Sequence, residues 1–175
     1  MKKIYLPLIL LLLIGSCRKD NRERIFELFY PNFRFTIPAG QSPVLPYPLG
    51  IRGVNTNIDF YLAENSTDTA VITEMNALSA TLTSVDGLDY NFLDRISIRI
   101  CEDSEEPCRD ADEVFYIDRL QIDRPGDRIR LLPGLRNVRD ELISDEYRLE
   151  VIFYLAFAPA FNYETQLDMT FGAFR

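Results

Sequence analysis

A period of two runs through most of this chain, and it fixes the fold class before composition is considered. Ile96, Ile98 and Ile100 alternate with Ser97 and Arg99, while Leu149, Val151, Phe153, Leu155 and Phe157 share one side of the run from Tyr147 to Phe157. Leu167, Met169 and Phe171 do the same between Tyr163 and Phe174. Successive strand side chains point to opposite faces, so each run reads as a strand with one buried side. Shorter alternations occur at Phe33–Ile37, Ile58–Leu62, Leu78–Leu82, Val114–Ile117 and Ile129–Leu131. The expected architecture is all-β: a single antiparallel β-sandwich of seven to eight strands with Greek-key-like connections, a closed barrel being the alternative. The last run is expected to pair with its predecessor across Ala158–Phe161. Only a turn at Tyr90–Asp94 and a short segment at Asn137–Ser144 read as helical, with Asn137 as cap and Val138, Leu142 and Ile143 facing inward. Ser42–Pro48 carries three prolines and reads as a loop or an edge segment.

With 175 residues, 47% of them hydrophobic, the chain supports one domain with a real core. Its first residues do not belong to that domain. Lys2 and Lys3 precede an apolar run from Ile4 to Ile14, too short to cross a hydrocarbon layer of ~30 Å at ~1.5 Å per residue. Gly15-Ser16-Cys17 then resembles a lipobox, which implies removal of residues 1–16 and acylation of Cys17 by palmitate-type chains. The expected layout is a signal peptide over 1–16, a lipidated cysteine with a short tether over 17–30, and the sandwich over 31–175. Two or more acyl chains hold a protein stably on a bilayer.

Loss of Lys2 and Lys3 would leave 17 basic against 27 acidic side chains, a balance of −10. A body so acidic repels phosphate backbones and anionic lipid, so nucleic acid is not an expected partner. Histidine and tryptophan are absent. That excludes Ser-His-Asp and Cys-His catalysis and any zinc site built on imidazole. Gly50-Ile51-Arg52-Gly53 lacks the lysine and spacing of a phosphate loop. Beyond Cys17 two cysteines remain, Cys101 and Cys108, and in an exported chain they are expected to form a disulfide.

Between them begins the most anomalous segment, Glu102 to Glu113, with seven carboxylates and one arginine. It reads first as a solvated hairpin tip whose like charges oppose aggregation. The sharper reading is a calcium loop with Glu102, Asp103, Glu105, Glu106, Asp110 and Asp112 as ligands, pre-ordered by the disulfide, although the spacing is not that of an EF-hand. No other cofactor is indicated. Two adjacent carboxylate pairs, Asp140 with Glu141 and Asp145 with Glu146, are the candidates for histidine-free glycoside hydrolysis. Arginine is strongly preferred to lysine, and Arg99, Arg128, Arg130 and Arg148 are expected to face cross-strand carboxylates.

Cys17-Arg18-Lys19-Asp20 resembles the start of lipoproteins of the Bacteroidota, in which such residues are associated with export to the outer face of the outer membrane. Asp68-Thr69-Ala70 resembles the O-glycosylation signal of exported proteins in that phylum, with Thr69 as the implied acceptor. The body, with Phe35–Gly40, Leu93–Ile100 and a long terminal hairpin, is similar to small β-sandwich lipoproteins of those organisms. The resemblance implies an outer-membrane location and a non-catalytic binding or assembly role, with an envelope protein or a glycan as partner. A small carboxylate-based hydrolase and a structural or adhesin subunit that exchanges its final strand are the alternatives.

Overall fold

The computed structural model describes residues 22–123 and 125–175, so the segment expected to be a signal peptide and Cys17 lie outside the described residues. Eight antiparallel strands form one curled sheet: β1 (Arg24–Ile37), β2 (Tyr47–Asn55), β3 (Glu74–Ser84), β4 (Leu93–Glu102), β5 (Glu113–Ile117), β6 (Arg128–Pro133), β7 (Glu146–Leu155) and β8 (Tyr163–Phe174). Their order is β1-β8-β3-β6-β5-β4-β7-β2. The β5–β6 junction is short, pairing Phe115 with Pro133 and Tyr116 with Leu132. The sheet folds there into two facing layers, β1-β8-β3-β6 and β2-β7-β4-β5, the strand order of a double-Greek-key jelly roll. The all-β expectation holds, with strands alternating in direction throughout.

The core lies between the layers. Leu28, Leu82, Leu167, Met169 and Phe171 from one meet Ile96, Ile98, Leu149, Val151 and Phe153 from the other, all fully buried. Aromatic edges bridge the gap, with Tyr30 lying 5.8 Å from Tyr147 and Phe115 lying 5.4 Å from Phe171. Burial pushes the phenols of Tyr30, Tyr90 and Tyr147 above their ordinary range. The Tyr30 hydroxyl donates to the Thr56 carbonyl at 2.9 Å, whereas the Tyr147 hydroxyl is buried without a partner.

Several expectations are corrected. Arg24–Tyr30 is not tether but the first half of β1, where Phe26, Leu28 and Tyr30 are buried in alternation. Ile58–Leu62 is not a strand but part of helix α1 (Ile58–Glu64). Helical spacing turns Ile58, Tyr61 and Leu62 toward the core and leaves Phe60 63% exposed, which a strand could not do. Its place in the strand count is taken by β2, an edge strand whose Pro48 and two glycines mask the pattern. Finally, β8 pairs with β1 and β3, not with β7, whose two edges are filled by β4 and β2. Leu78 sits at a register shift in β3, so Ala77 and Ala80, not Leu78, are buried. Two further helices are single turns, α2 (Leu120–Asp123) and α3 (Arg139–Leu142). Asn137 accepts from the Arg139 N–H at 3.0 Å, and Val138 and Leu142 are buried. Tyr90–Asp94 is not a helix: a turn at Asn91 and Phe92 leads into Leu93 and Asp94, the first residues of β4.

The two outermost strands, β1 and β2, leave an open seam. Both carry a register shift at the same height, between Tyr30 and Phe33 and between Ile51 and Val54. The Tyr61 hydroxyl lies 3.1 Å from the Phe29 nitrogen and 3.0 Å from its carbonyl oxygen, so it fills the outward hydrogen-bonding positions of that residue. Bulges and a filled edge oppose strand addition from outside.

Candidate functional site

Alternating strand direction divides the connections between two poles. One pole holds the start of β1, the β4–β5 connection with its disulfide, α1, and the β6–β7 connection with α3. The sequence candidates gather here. Cys101, at the end of β4, is bonded to Cys108, with Cα atoms 5.6 Å apart. This closes the acidic segment into a loop folded over the outer face of β4 and β7.

Arginines hold that loop in place. Arg99, 9% exposed, donates to the Cys108 carbonyl at 3.3 Å and pairs with Asp110. Arg148 donates to the carbonyls of Ser104 at 3.0 Å and Glu105 at 3.3 Å, and pairs with buried Glu150 at 2.8 Å. Arg52 lies 3.3 Å from Asp103 and 3.9 Å from Glu105. Arg136 reaches across from the β6–β7 connection and engages the Ile100 carbonyl, the Asp112 carbonyl at 3.3 Å, the Asp112 carboxylate at 3.2 Å and the Glu141 carboxylate. Asp112 is 3% exposed and also accepts the Arg109 N–H at 2.8 Å.

This geometry does not build the calcium cage. Asp103 and Glu105 are drawn to Arg52, Asp110 to Arg99 and Asp112 to Arg136, three separate places, where calcium needs six to eight oxygens around one point. Among the described residues, the one grouping of three metal-capable side chains is Cys101, Cys108 and Asp112, and its two sulfurs are joined in the disulfide. The hairpin-tip reading of the segment fits better, with the addition that the tip is fastened rather than free.

Two adjoining hollows flank the loop. One, of about 310 Å³, is lined by Cys101, Glu102, Arg109, Asp112, Arg136 and Glu141 among others. The second, of about 510 Å³, is lined by Glu102, Asp103, Asp140, Glu141, Ser144 and Glu146. Three of the four hydrolase candidates thus meet on one groove, joined by Glu102 and Asp103, and Asp145 is not among its lining residues. Glu141 is engaged by Arg136, and Asp140 by Arg139 at 3.2 Å. Thr69 sits half-buried in the β2–β3 connection at the same pole, its carbonyl accepting from Arg139 at 3.1 Å. Arg128 and Arg130 project from the exposed face of β6, away from the groove. Sequence reasoning misses Arg136 and Arg139 as site residues, since nothing in their local sequence shows a reach to Ile100, Asp112 or Ile72.

No family model matches this chain, and no curated protein matches it. Among solved structures it is similar to a chain titled "nora virus structure", at 12% identity and a TM-score of 0.30, over 90% of this chain and 62% of that one. The alignment spans less than two thirds of the other chain, and a likeness at this level carries no argument. No helix among the described residues is long and apolar enough to cross a membrane.

Proposed function

We propose that this chain is a non-catalytic lipoprotein of the cell envelope, anchored to the outer membrane through Cys17 and acting as a binding or assembly module. The observation that carries the reading is the groove at the entry pole. Arg52, Arg136 and Arg139 hold Asp103, Asp112, Glu141 and Asp140 along it, which makes a stiff, charged recognition surface. Its excess of acid suits a basic segment of an envelope protein better than an anionic glycan. The short tether supports the same role: β1 begins at Arg24, seven residues beyond Cys17, so the groove stays near the anchoring surface.

The test is cross-linked recovery of the protein from native outer membranes, read by mass spectrometry. One stoichiometric partner, lost when Glu102, Asp103 and Glu146 are changed to their amides, supports the reading. Recovery unaffected by those changes removes the groove from it. The anchor is tested separately, since labelled palmitate should enter the native chain and not Cys17→Ser.

A glycoside hydrolase is the second reading, favoured by the meeting of Asp140, Glu141 and Glu146 on one groove. Activity on any glycan of a broad panel, abolished by Glu141→Gln or Glu146→Gln, would establish it. A strand-exchanging polymer subunit gains no support, because β8 is paired on both edges within its own chain.

A further inference from the structure

The opposite pole has a different chemistry. Four connections lie there, and two of them, residues 38–46 and 156–162, contain no charged side chain in a chain that is 26% charged. The neighbouring β3–β4 and β5–β6 connections carry Asp86, Asp89, Asp118 and Asp127, so the uncharged zone is confined to these two loops. They join β1 to β2 and β7 to β8, which places both over the seam side of the body. The Gly40 N–H donates to the Pro159 carbonyl at 2.9 Å, and the Ala39 N–H to the Asn162 side chain at 2.8 Å. The pair therefore forms one tip, from which Val44 (84% exposed), Leu45 (70%), Phe157 (50%) and Phe161 (63%) project.

We infer that this tip is a membrane-contact element that enters the uncharged interface of a zwitterionic bilayer. Three features favour lipid over a protein surface. The four side chains expose on the order of 500 Å², at the upper end for a monomer and below the ~800 Å² per partner of a stable protein interface. Pro38, Pro43, Pro46 and Pro159 lack a backbone N–H, and the N–H groups of Ala39, Gly40 and Val44 are satisfied inside the tip. Each donor so removed or met lowers the cost of entering a lipid interface, and headgroup oxygens and interfacial water serve the donors that remain. Third, the absence of lysine and arginine fits a neutral headgroup layer, since an anionic one would repel the acidic body.

Geometry makes this compatible with anchoring through Cys17 without depending on it. β1 runs about 43 Å along the seam side from the entry pole to the tip, at ~3.3 Å per residue. A body lying with its seam along the bilayer would touch it at both ends of β1, with Leu135, just beyond β6 on the closed side, held away from it.

The native chain has no tryptophan, so Phe161→Trp in the full chain gives a single reporter. With phosphatidylcholine vesicles carrying brominated acyl chains, its emission should shift to the blue and fall by roughly half or more, as for a side chain at the acyl boundary. Leu135→Trp, exposed at the opposite pole, should be unaffected, and adding Val44→Asp and Phe157→Asp to the Phe161→Trp chain should abolish the quenching. Because quenching reads the tip itself, vesicle-attached Phe161→Trp protein quenched no more than the Leu135→Trp protein overturns the inference while leaving the anchor intact. Quenching that survives both aspartates also overturns it. So does a blue shift without vesicles that tracks protein concentration and a doubled mass, which would assign the tip to a second copy.

Discussion

Arg136→Met removes the guanidinium that joins the β6–β7 connection to the disulfide loop and keeps most of the stem's volume. Four contacts go: the carbonyls of Ile100 and Asp112, and the carboxylates of Asp112 and Glu141. The Asp112 side chain is only 4% exposed, so its charge would be left buried with Arg109 as the remaining donor. Breaking a buried pair from one side costs ~3–5 kcal/mol. Arg136 is 22% exposed and the Arg109 N–H still reaches Asp112, so the expected loss is nearer ~2–3 kcal/mol. Asp112→Asn alone keeps acceptor capacity and should cost ~1–2 kcal/mol. Combined with Arg136→Met it removes the stranded charge, so the double variant should be more stable than the sum of the singles by ~1–2 kcal/mol. Urea unfolding followed by circular dichroism gives all four stabilities. The reasoning fails if Arg136→Met lies within ~0.5 kcal/mol of the native chain, or if the two changes add to within that margin. Millimolar calcium should leave the native melting temperature unchanged, and a rise that grows with calcium concentration would restore the cage that the arginines exclude.

Joint replacement of Cys101 and Cys108 by serine should cost ~2.5 kcal/mol through the freed eight-residue loop, with mass spectrometry confirming the bridge in the native chain. Stability should hold up to about pH 10 and fall above it. Buried Tyr30, Tyr90 and Tyr147 keep their protons where the unfolded chain loses them, each contributing up to ~1.4 kcal/mol per pH unit of decline, and a flat urea midpoint between pH 9 and 11 would refute this. Tyr147→Phe should shed one tyrosine's share of that slope and leave stability at pH 7 equal or higher by up to ~1 kcal/mol, because its hydroxyl has no partner. Gly172→Ala places a methyl 2.9 Å from the Phe174 ring and 3.1 Å from Leu78, and should lower stability by ~1–3 kcal/mol in thermal or urea melts.

The strands legible in sequence are those with one clean face. β4 and β7 place Ile96, Ile98, Ile100, Leu149, Val151 and Phe153 on the core face, and the alternation of side-chain type is sufficient there although Ser97, Arg99 and Glu150 on the other face are buried as well. Alternation identifies a strand but not its neighbour, so nothing local directs β8 to join β1 and β3 across the sandwich rather than fold back on β7. The misreading of Ile58–Leu62 has another cause: five residues that mix apolar and polar types satisfy both periods, and the decision comes from Asn57 at φ 51°, which ends the extended chain before α1. β2 escapes detection because an edge strand tolerates Pro48, Gly50 and Gly53 that a central one would reject. In the candidate site the disulfide is legible from two cysteines and the groove is not, since Glu102 and Glu146 meet only through the pairing of β4 with β7.

The arginine preference has a structural reason at the entry pole. Arg99, Arg136, Arg139 and Arg148 each bind a backbone carbonyl of a connection and a carboxylate together. A planar fork with five fixed donors can span two acceptors at once, whereas an ammonium on a flexible stem meets them as a point charge. The β4–β5 loop at this pole has no large apolar side chain to bury, so directional bonds to its carbonyls replace the missing core there. The tip at the other pole lacks these tethers and uses proline and loop-to-loop hydrogen bonds instead. The body is therefore stiffened by charge and the disulfide where the chain enters and by proline where it is apolar. Each pole's means of support matches the medium it meets: arginine pairs tolerate water, and a proline tip tolerates its absence.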